Sequence, residues 1–183
     1  MVRLTSMLAL VSSLVGVTMA SGCQTNTGLT QMITYVKRHP SYTREEFWEY
    51  WETEHAPKVV PLSTHFNITR YQQIQVGGKI PPTEAGADGP ASTELVEFDG
   101  IAMFLYPEPE ALNAMLSHPY YIDVVLPDEH KFVDKKAFGA GMVATYVGTH
   151  IEAVDGGQDV WLGLKSTRDK YQRLFDSYLE KDQ

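Results

Sequence analysis

The sequence predicts an α+β domain made of two consecutive β-α-β units, and three observations carry the prediction. A short apolar strand, Met32-Ile-Thr-Tyr-Val36, runs into an amphipathic helix ending at Glu52-Thr-Glu-His55-Ala-Pro57. A second strand-helix-strand set follows between about Glu97 and Glu152. Between the two, residues 77–93 carry Gly77-Gly78, Pro81-Pro82, Gly86 and Gly89-Pro90 with little apolar content, as a long connecting loop does.

Each element has its own signals. Lys37-Arg-His-Pro40 ends the first apolar run, and Thr43 with Glu46 three residues on is a capping-box signature that starts the first helix. Phe47, Trp51 and His55 recur at every fourth position and share one face, while Arg44, Glu45, Glu49 and Glu52 turn to solvent. His55 therefore continues the apolar stripe. Pro57 disfavours helical backbone at Ala56, which puts His55 at the C-terminal end of the helix, where free carbonyls favour an imidazolium. A histidine in such a place is also an ordinary capping or core residue. Ile68 to Val76 reads as a strand with one wet face, alternating Tyr71, Ile74 and Val76 with Thr69, Gln73 and Gln75. Beyond the loop, a strand from about Glu97 to Tyr106 offers Phe98, Ile101, Met103 and Leu105 for burial. Pro107 and Pro109 introduce a helix, Glu110 to Ser117, that breaks at His118-Pro119; Tyr120 to Leu126 forms a second apolar turn ending at Pro127. After Asp128-Glu-His-Lys-Phe-Val-Asp134, a last strand spans Gly139 to Glu152.

This order is the split βαββαβ unit of ferredoxin-like domains, a four-stranded antiparallel sheet with both helices on one face. The other face is left bare. A second copy of the chain covering it makes a homodimer whose two sheets curve into an α+β barrel with a pocket on each side.

Composition sets the limits. A chain of 183 residues, 43% hydrophobic and 21% charged, suits one globular domain with a sizeable core. A net charge of −8 without a basic stripe argues against nucleic acid as a partner. One cysteine, Cys23, supports neither a disulfide framework nor a thiolate metal cluster. Arg3 precedes the mostly apolar run Met7 to Ala20, and Thr18-Met-Ala20 resembles a small-residue cleavage site, so residues 1–20 read as a signal peptide or leader and 21–30 as a linker. An uncleaved anchor, or a true start at Met32, are the alternatives. The run falls short of the about 20 apolar residues that a membrane span needs. The leader points to the secretory pathway, the only setting in which the sequon Asn67-Ile-Thr69 would matter. The main domain is expected over residues 31–155. In the extension over 156–183, Tyr171, Leu174, Phe175, Tyr178 and Leu179 space out an amphipathic helix from Ser166 to Glu180, whose mixed-sign polar face suits protein packing rather than a membrane.

Several side chains could carry chemistry. His55 is the candidate general acid/base, because an imidazole in a partly apolar site titrates near neutral pH. His130 with Asp128 and Asp134 is a second cluster in which a carboxylate could orient an imidazole, although Asp-Glu-His-Lys is equally a solvated turn with Asp128 as a cap. Tyr35, Tyr71 and Trp51 are candidate pocket residues, the two phenols as hydrogen-bond donors; His65 and His118 could reach the same cleft. No two histidines sit at helical i, i+4 spacing with a carboxylate set, so no metal site and no cofactor are expected.

Tyr35-Val-Lys-Arg, Glu46-Phe-Trp-Glu-Tyr-Trp-Glu-Thr-Glu-His55-Ala-Pro57, Arg70-Tyr71, Phe98-Asp-Gly100, His118-Pro-Tyr-Tyr and Pro127-Asp-Glu-His-Lys-Phe-Val-Asp134, in this order and spacing, resemble the EthD domain of the dimeric α+β barrel superfamily. The resemblance spans about Gln31 to Glu152 and is strongest to fungal members found with polyketide synthases, which implies an aromatic polyketide-like substrate and a cytoplasmic setting at odds with the leader. It implies a cofactor-independent lyase, decarboxylase or dehydratase, with His55 as acid/base. A cofactor-free oxygenase of the same fold needs the same residue types. A dimer that binds a hydrophobic small molecule without turning it over is the third reading.

Overall fold

The computed structural model describes residues 26–181, so the leader and most of the linker lie outside the described residues. The apolar run 32–36 is the end of a longer strand: β1 runs Asn26–Val36, through part of the stretch expected as a linker. Thr43 then caps α1 (Arg44–Tyr50) through its hydroxyl on the Glu46 N–H, and the Glu46 carboxylate returns a bond to the Thr43 N–H, the reciprocal box that the sequence predicts.

The helix does not stop at His55. A π turn over Trp51–His55 leads straight into α2 (Ala56–His65). The Ala56 N–H donates to the Trp51 carbonyl five residues back, and the wider turn accommodates Pro57 at the second position of α2, where a missing N–H is tolerated. The second helical layer repeats the device. After β2 (Arg70–Ile74), β3 (Gly78–Ile80), β4 (Val96–Phe98) and β5 (Gly100–Tyr106), α3 (Pro109–Ser117) is followed by a π turn over Tyr121–Val125. That turn passes into α4 (Leu126–Phe132), again with a proline, Pro127, at its second position. Pro57 and Pro127 thus sit inside continuous helical layers rather than ending them.

A four-stranded antiparallel sheet results, in the order β2-β5-β1-β6, with β6 spanning Met142–Ile151. This is the ferredoxin-like arrangement, open within one chain. Both helical layers cover the same face. Val36 and Ala102 from the sheet meet Phe47, Trp51 and Phe132 from the helices in one apolar cluster; Leu62, Tyr106, Leu112 and Met115 form another. On the opposite face, alternation places Ile33, Tyr35, Ile101 and Met103.

The loop over 77–93 is more ordered than its composition implies. β3 pairs with β4, and Thr83 forms a parallel bridge to Ala144, its N–H on the Val143 carbonyl at 3.1 Å and its own carbonyl accepting from the Thr145 N–H at 3.0 Å. The segment thereby covers part of the β6 edge. Asp99 breaks the strand expected over 97–106 into β4 and β5. Its buried carboxylate takes Arg44 Nε and Nη2 at 3.0 and 2.9 Å and Lys37 Nζ at 3.1 Å. Burial alone would raise its pKa; the bonds from Lys37 and Arg44 outweigh it and lower it.

Past β6 a short hairpin, β7 (Val154–Asp155) and β8 (Gln158–Asp159), precedes α5 (Lys165–Leu179). Among the described residues, 163–181 group as a unit separate from 26–162. Within it, α5 carries Tyr171, Leu174, Phe175, Tyr178 and Leu179, all exposed. No helix among the described residues is long and apolar enough to cross a membrane.

At Gly100 the sheet lies tight against the first helical layer. A Cβ there would stand 2.4 Å from a Trp51 ring carbon and 3.2 Å from Phe47. Gly100→Ala is expected to destabilise the fold by about 1–3 kcal/mol, as overpacking does, and to alter Trp fluorescence through Trp51. Unchanged denaturation midpoint and spectrum would contradict the packing described.

Candidate active site

Between the sheet and the two helical layers lies a cavity of about 240 Å³, lined by members of both apolar clusters. The sheet contributes Met32, Thr34 and Val36 from β1 and Ala102 and Phe104 from β5; the π turns contribute Trp51, His55, Tyr121 and Val125. The walls are chiefly apolar. Polar groups enter at a few places: the Thr34 and Thr145 hydroxyls, hydrogen-bonded to each other at 3.2 Å, and the side chains of His55, Tyr71, Tyr121 and Glu129.

His55 is only 4% exposed and its ring packs against Phe132, with centroids 4.8 Å apart. Its Nδ1–H donates to Asp128 Oδ2 at 3.0 Å. Asp128, 2% exposed, is in turn fixed through Oδ1 by the Tyr50 hydroxyl at 2.8 Å, Lys131 Nζ at 3.0 Å and Lys58 Nζ at 3.4 Å. Four donors converge on one carboxylate. Burial opposes ionisation, but the bonds from Lys131, Tyr50 and His55 together hold the Asp128 carboxyl down at about 2. Its folded pKa lies below the ordinary 3.8, so the ionised group contributes stability that is fully present above that value and is lost as pH falls through about 2.

For His55 the balance goes the other way. Burial lowers its pKa below 6.5, and the bond to Asp128 and the nearby Glu129 charge only partly restore it. The imidazole is therefore neutral at physiological pH. With Nδ1 protonated toward Asp128, the lone pair is on Nε2, the arrangement of a general base.

A second carboxylate lies one residue on. Glu129, 8% exposed, accepts from the Tyr121 hydroxyl at 2.8 Å through Oε1 and from Lys135 Nζ at 2.9 Å through Oε2. Burial and this carboxylate push the Tyr121 phenol well above its ordinary range. Across the cavity Tyr71 stacks on Phe104 at 4.7 Å, and burial drives its pKa up to about 12. Gln73 Nε2 donates to the Tyr71 oxygen at 2.7 Å and to the Trp51 carbonyl at 3.3 Å, which leaves the Tyr71 proton available to a guest.

The residues singled out from sequence divide into three groups. His55, Trp51 and Tyr71 line the cavity and Asp128 stands directly behind His55, so Asp128 serves His55 rather than the neighbouring His130. His130 is exposed on α4 and away from the cavity, because two residues along a helix turn through about 200°. Tyr35 also lies elsewhere: Thr34 and Val36 face the cavity, and two-residue alternation sends Tyr35 to the opposite face, against Phe98 and Tyr146. His65 and His118, with ring centroids 6.2 Å apart, border a separate recess of about 230 Å³ with Pro61, Leu62 and Tyr120, not the cleft of His55. None of the described residues of 77–93 lines the main cavity. Among the described residues, no group of three or more His, Cys, Asp or Glu is placed to hold a metal.

Glu129, Tyr121, Tyr50 and the Thr34–Thr145 pair were not anticipated. A signal for Glu129 was present: two acids follow Pro127 in a first helical turn, on faces about 100° apart, so one can reach a neighbour while the other meets a different surface.

The EthD domain family model matches residues 39–136, which contain His55, Tyr71, Tyr121, Asp128 and Glu129. The chain is similar to a conidial pigment biosynthesis dehydratase EthD of Metarhizium robertsii, 30% identical over 97 residues that cover 53% of this chain and 68% of the relative. It is also similar to the dehydratase aurZ of Gibberella zeae, 26% identical over 113 residues, 62% of this chain and 74% of that one. Among solved structures it resembles an EthD family protein of Bacillus halodurans, with 15% identity, a TM-score of 0.39, and coverage of 67% of this chain and 98% of the other. A dimeric ferredoxin-like protein of unknown function from Bacteroides fragilis matches with 8% identity and a TM-score of 0.40, over 69% of this chain and 99% of its own. Because this family model matches more than half of its residues, the chain belongs to the EthD domain family.

Proposed function

We propose that this chain is a lyase that removes water from an aromatic polyketide-like hydroxy-ketone, with His55 as the acid/base. The observation that carries the reading is His55, hydrogen-bonded to buried Asp128, on the wall of a largely apolar cavity. Two relatives named as dehydratases support the reaction class.

In this reading Nε2 of His55 takes the proton from the carbon next to the ketone, and the developing oxyanion accepts a hydrogen bond from the Tyr71 hydroxyl. The imidazolium, stabilised by Asp128, then returns the proton to the departing β-hydroxyl. A carbon–carbon double bond forms, water leaves, and His55 is neutral again. Apolar walls favour the step by excluding bulk water from the oxyanion. A decarboxylase reading uses the same dyad with the proton delivered to the carbon that loses carbon dioxide; it needs an anionic substrate.

His55→Ala is expected to lower kcat for dehydration by about 10²–10⁴-fold, the usual contribution of a general base, with substrate affinity largely kept. Because the neutral imidazole is the active form and its pKa is lowered, the wild-type acid limb of kcat/KM should fall below pH 6.5. In Asp128→Asn the loss of the adjacent anion should move that limb lower still. Loss of one water by mass spectrometry reads the reaction out; unimpaired turnover by His55→Ala would remove the proposal, and binding with no turnover by wild type would favour a non-catalytic binding role.

The apolar outer face of the sheet, with Ile33, Ile101 and Met103 at its centre, supports a homodimer in which two such faces meet, since a two-fold contact requires a self-complementary patch. Sedimentation should give twice the chain mass, and Met103→Glu should shift it toward the monomer. A wild-type monomer at all concentrations would contradict this.

A further inference from the structure

Substrates of the two lyase readings differ in one property that the cavity wall can sense. A dehydration substrate of this class is uncharged, whereas a decarboxylation substrate brings in a carboxylate. Among the described residues lining the cavity there is no lysine or arginine, and its one formally charged side chain is Glu129. Three lysines are near, yet each is already paired with a carboxylate: Lys58 and Lys131 with Asp128 behind His55, and Lys135 with Glu129. None of the three lines the cavity.

Resting on the reading of this cavity as the substrate site, we infer that Glu129 is a specificity-determining residue that reserves the cavity for uncharged hydroxy-ketone or phenolic guests and rejects their carboxylated counterparts. The charge is fixed in place from both oxygens, by the Tyr121 hydroxyl at 2.8 Å and by Lys135 Nζ at 2.9 Å, so it cannot swing away to admit an anion without breaking both bonds. An entering carboxylate would lose its hydration among Phe104, Trp51, Phe132 and Val125 and gain no cation in exchange. It would also face a like charge in a medium that screens poorly. His55 gives no relief, because burial keeps it neutral. An uncharged guest meets none of these penalties and finds donors and acceptors for its hydroxyls in Tyr71 and in the Thr34–Thr145 pair.

The test is calorimetric binding of two matched probes, 2-naphthol and 3-hydroxy-2-naphthoic acid, at neutral pH, where the first is uncharged and the second an anion. Wild type is expected to bind the naphthol at least about tenfold more tightly than the acid, the scale of a like-charge contact inside a protein. In Glu129→Gln, which keeps the shape and the acceptor for Tyr121, the acid should gain about tenfold while the naphthol changes little. Tyr121→Phe keeps the carboxylate, so it should keep the discrimination, which separates charge from shape. If both probes bind wild type equally, or Glu129→Gln leaves the ratio unchanged, this inference falls while the site reading stands. If neither probe binds at millimolar concentration, the cavity is not a site for this class of molecule and both fall together.

Discussion

The hydrogen bond from His55 to Asp128 is the point on which the rest of this molecule turns. It joins the two helical layers at the place where each carries a π turn followed by a proline, and it does so inside the protein, where a lone carboxylate would be expelled or protonated. Asp128 stays ionised because Tyr50, Lys58 and Lys131 complete its shell. That fixed charge selects the imidazole tautomer. Burial then keeps the imidazole neutral, so one arrangement settles both the orientation and the protonation state of the candidate base.

Repetition within the chain explains how such a pair arises at the middle of a small domain. Trp51 and Tyr121 open the two π turns, and Pro57 and Pro127 follow each of them at the same distance. The two layers are thus the same device used twice against one sheet, and the cavity is the space that their widened turns enclose with β1 and β5. Chemistry differs between the copies: the first turn closes on His55, the second on Val125, and the acids come after the second proline. Base and carboxylate therefore come from opposite copies.

Much of the fold was legible because its signals are local. Thr43 and Glu46 announce a helix start through bonds made within one turn, and the apolar run of 32–36 belongs to a single strand. What depends on two distant segments was harder to see. Pro57 and Pro127 looked like helix ends, since a proline removes a donor; only a π turn, stabilised by packing of both layers, lets the helix pass. Asp128 looked like a partner for His130, two residues away, because sequence distance stood in for spatial distance. Helical geometry separates those two side chains and brings Asp128 to His55 across 73 positions. Tyr35 failed as a pocket residue for a simpler reason: alternation gives one of two faces, and nothing local says which one is covered by helices.

The central claim is the state of one imidazole, and nitrogen NMR of histidine-labelled protein near neutral pH tests it directly. The account predicts that His55 is neutral with the proton on Nδ1 and an unprotonated Nε2, and that it titrates below 6.5, with its tautomeric preference lost in Asp128→Asn. A His55 that carries its proton on Nε2, or that is already charged at neutral pH, would contradict it.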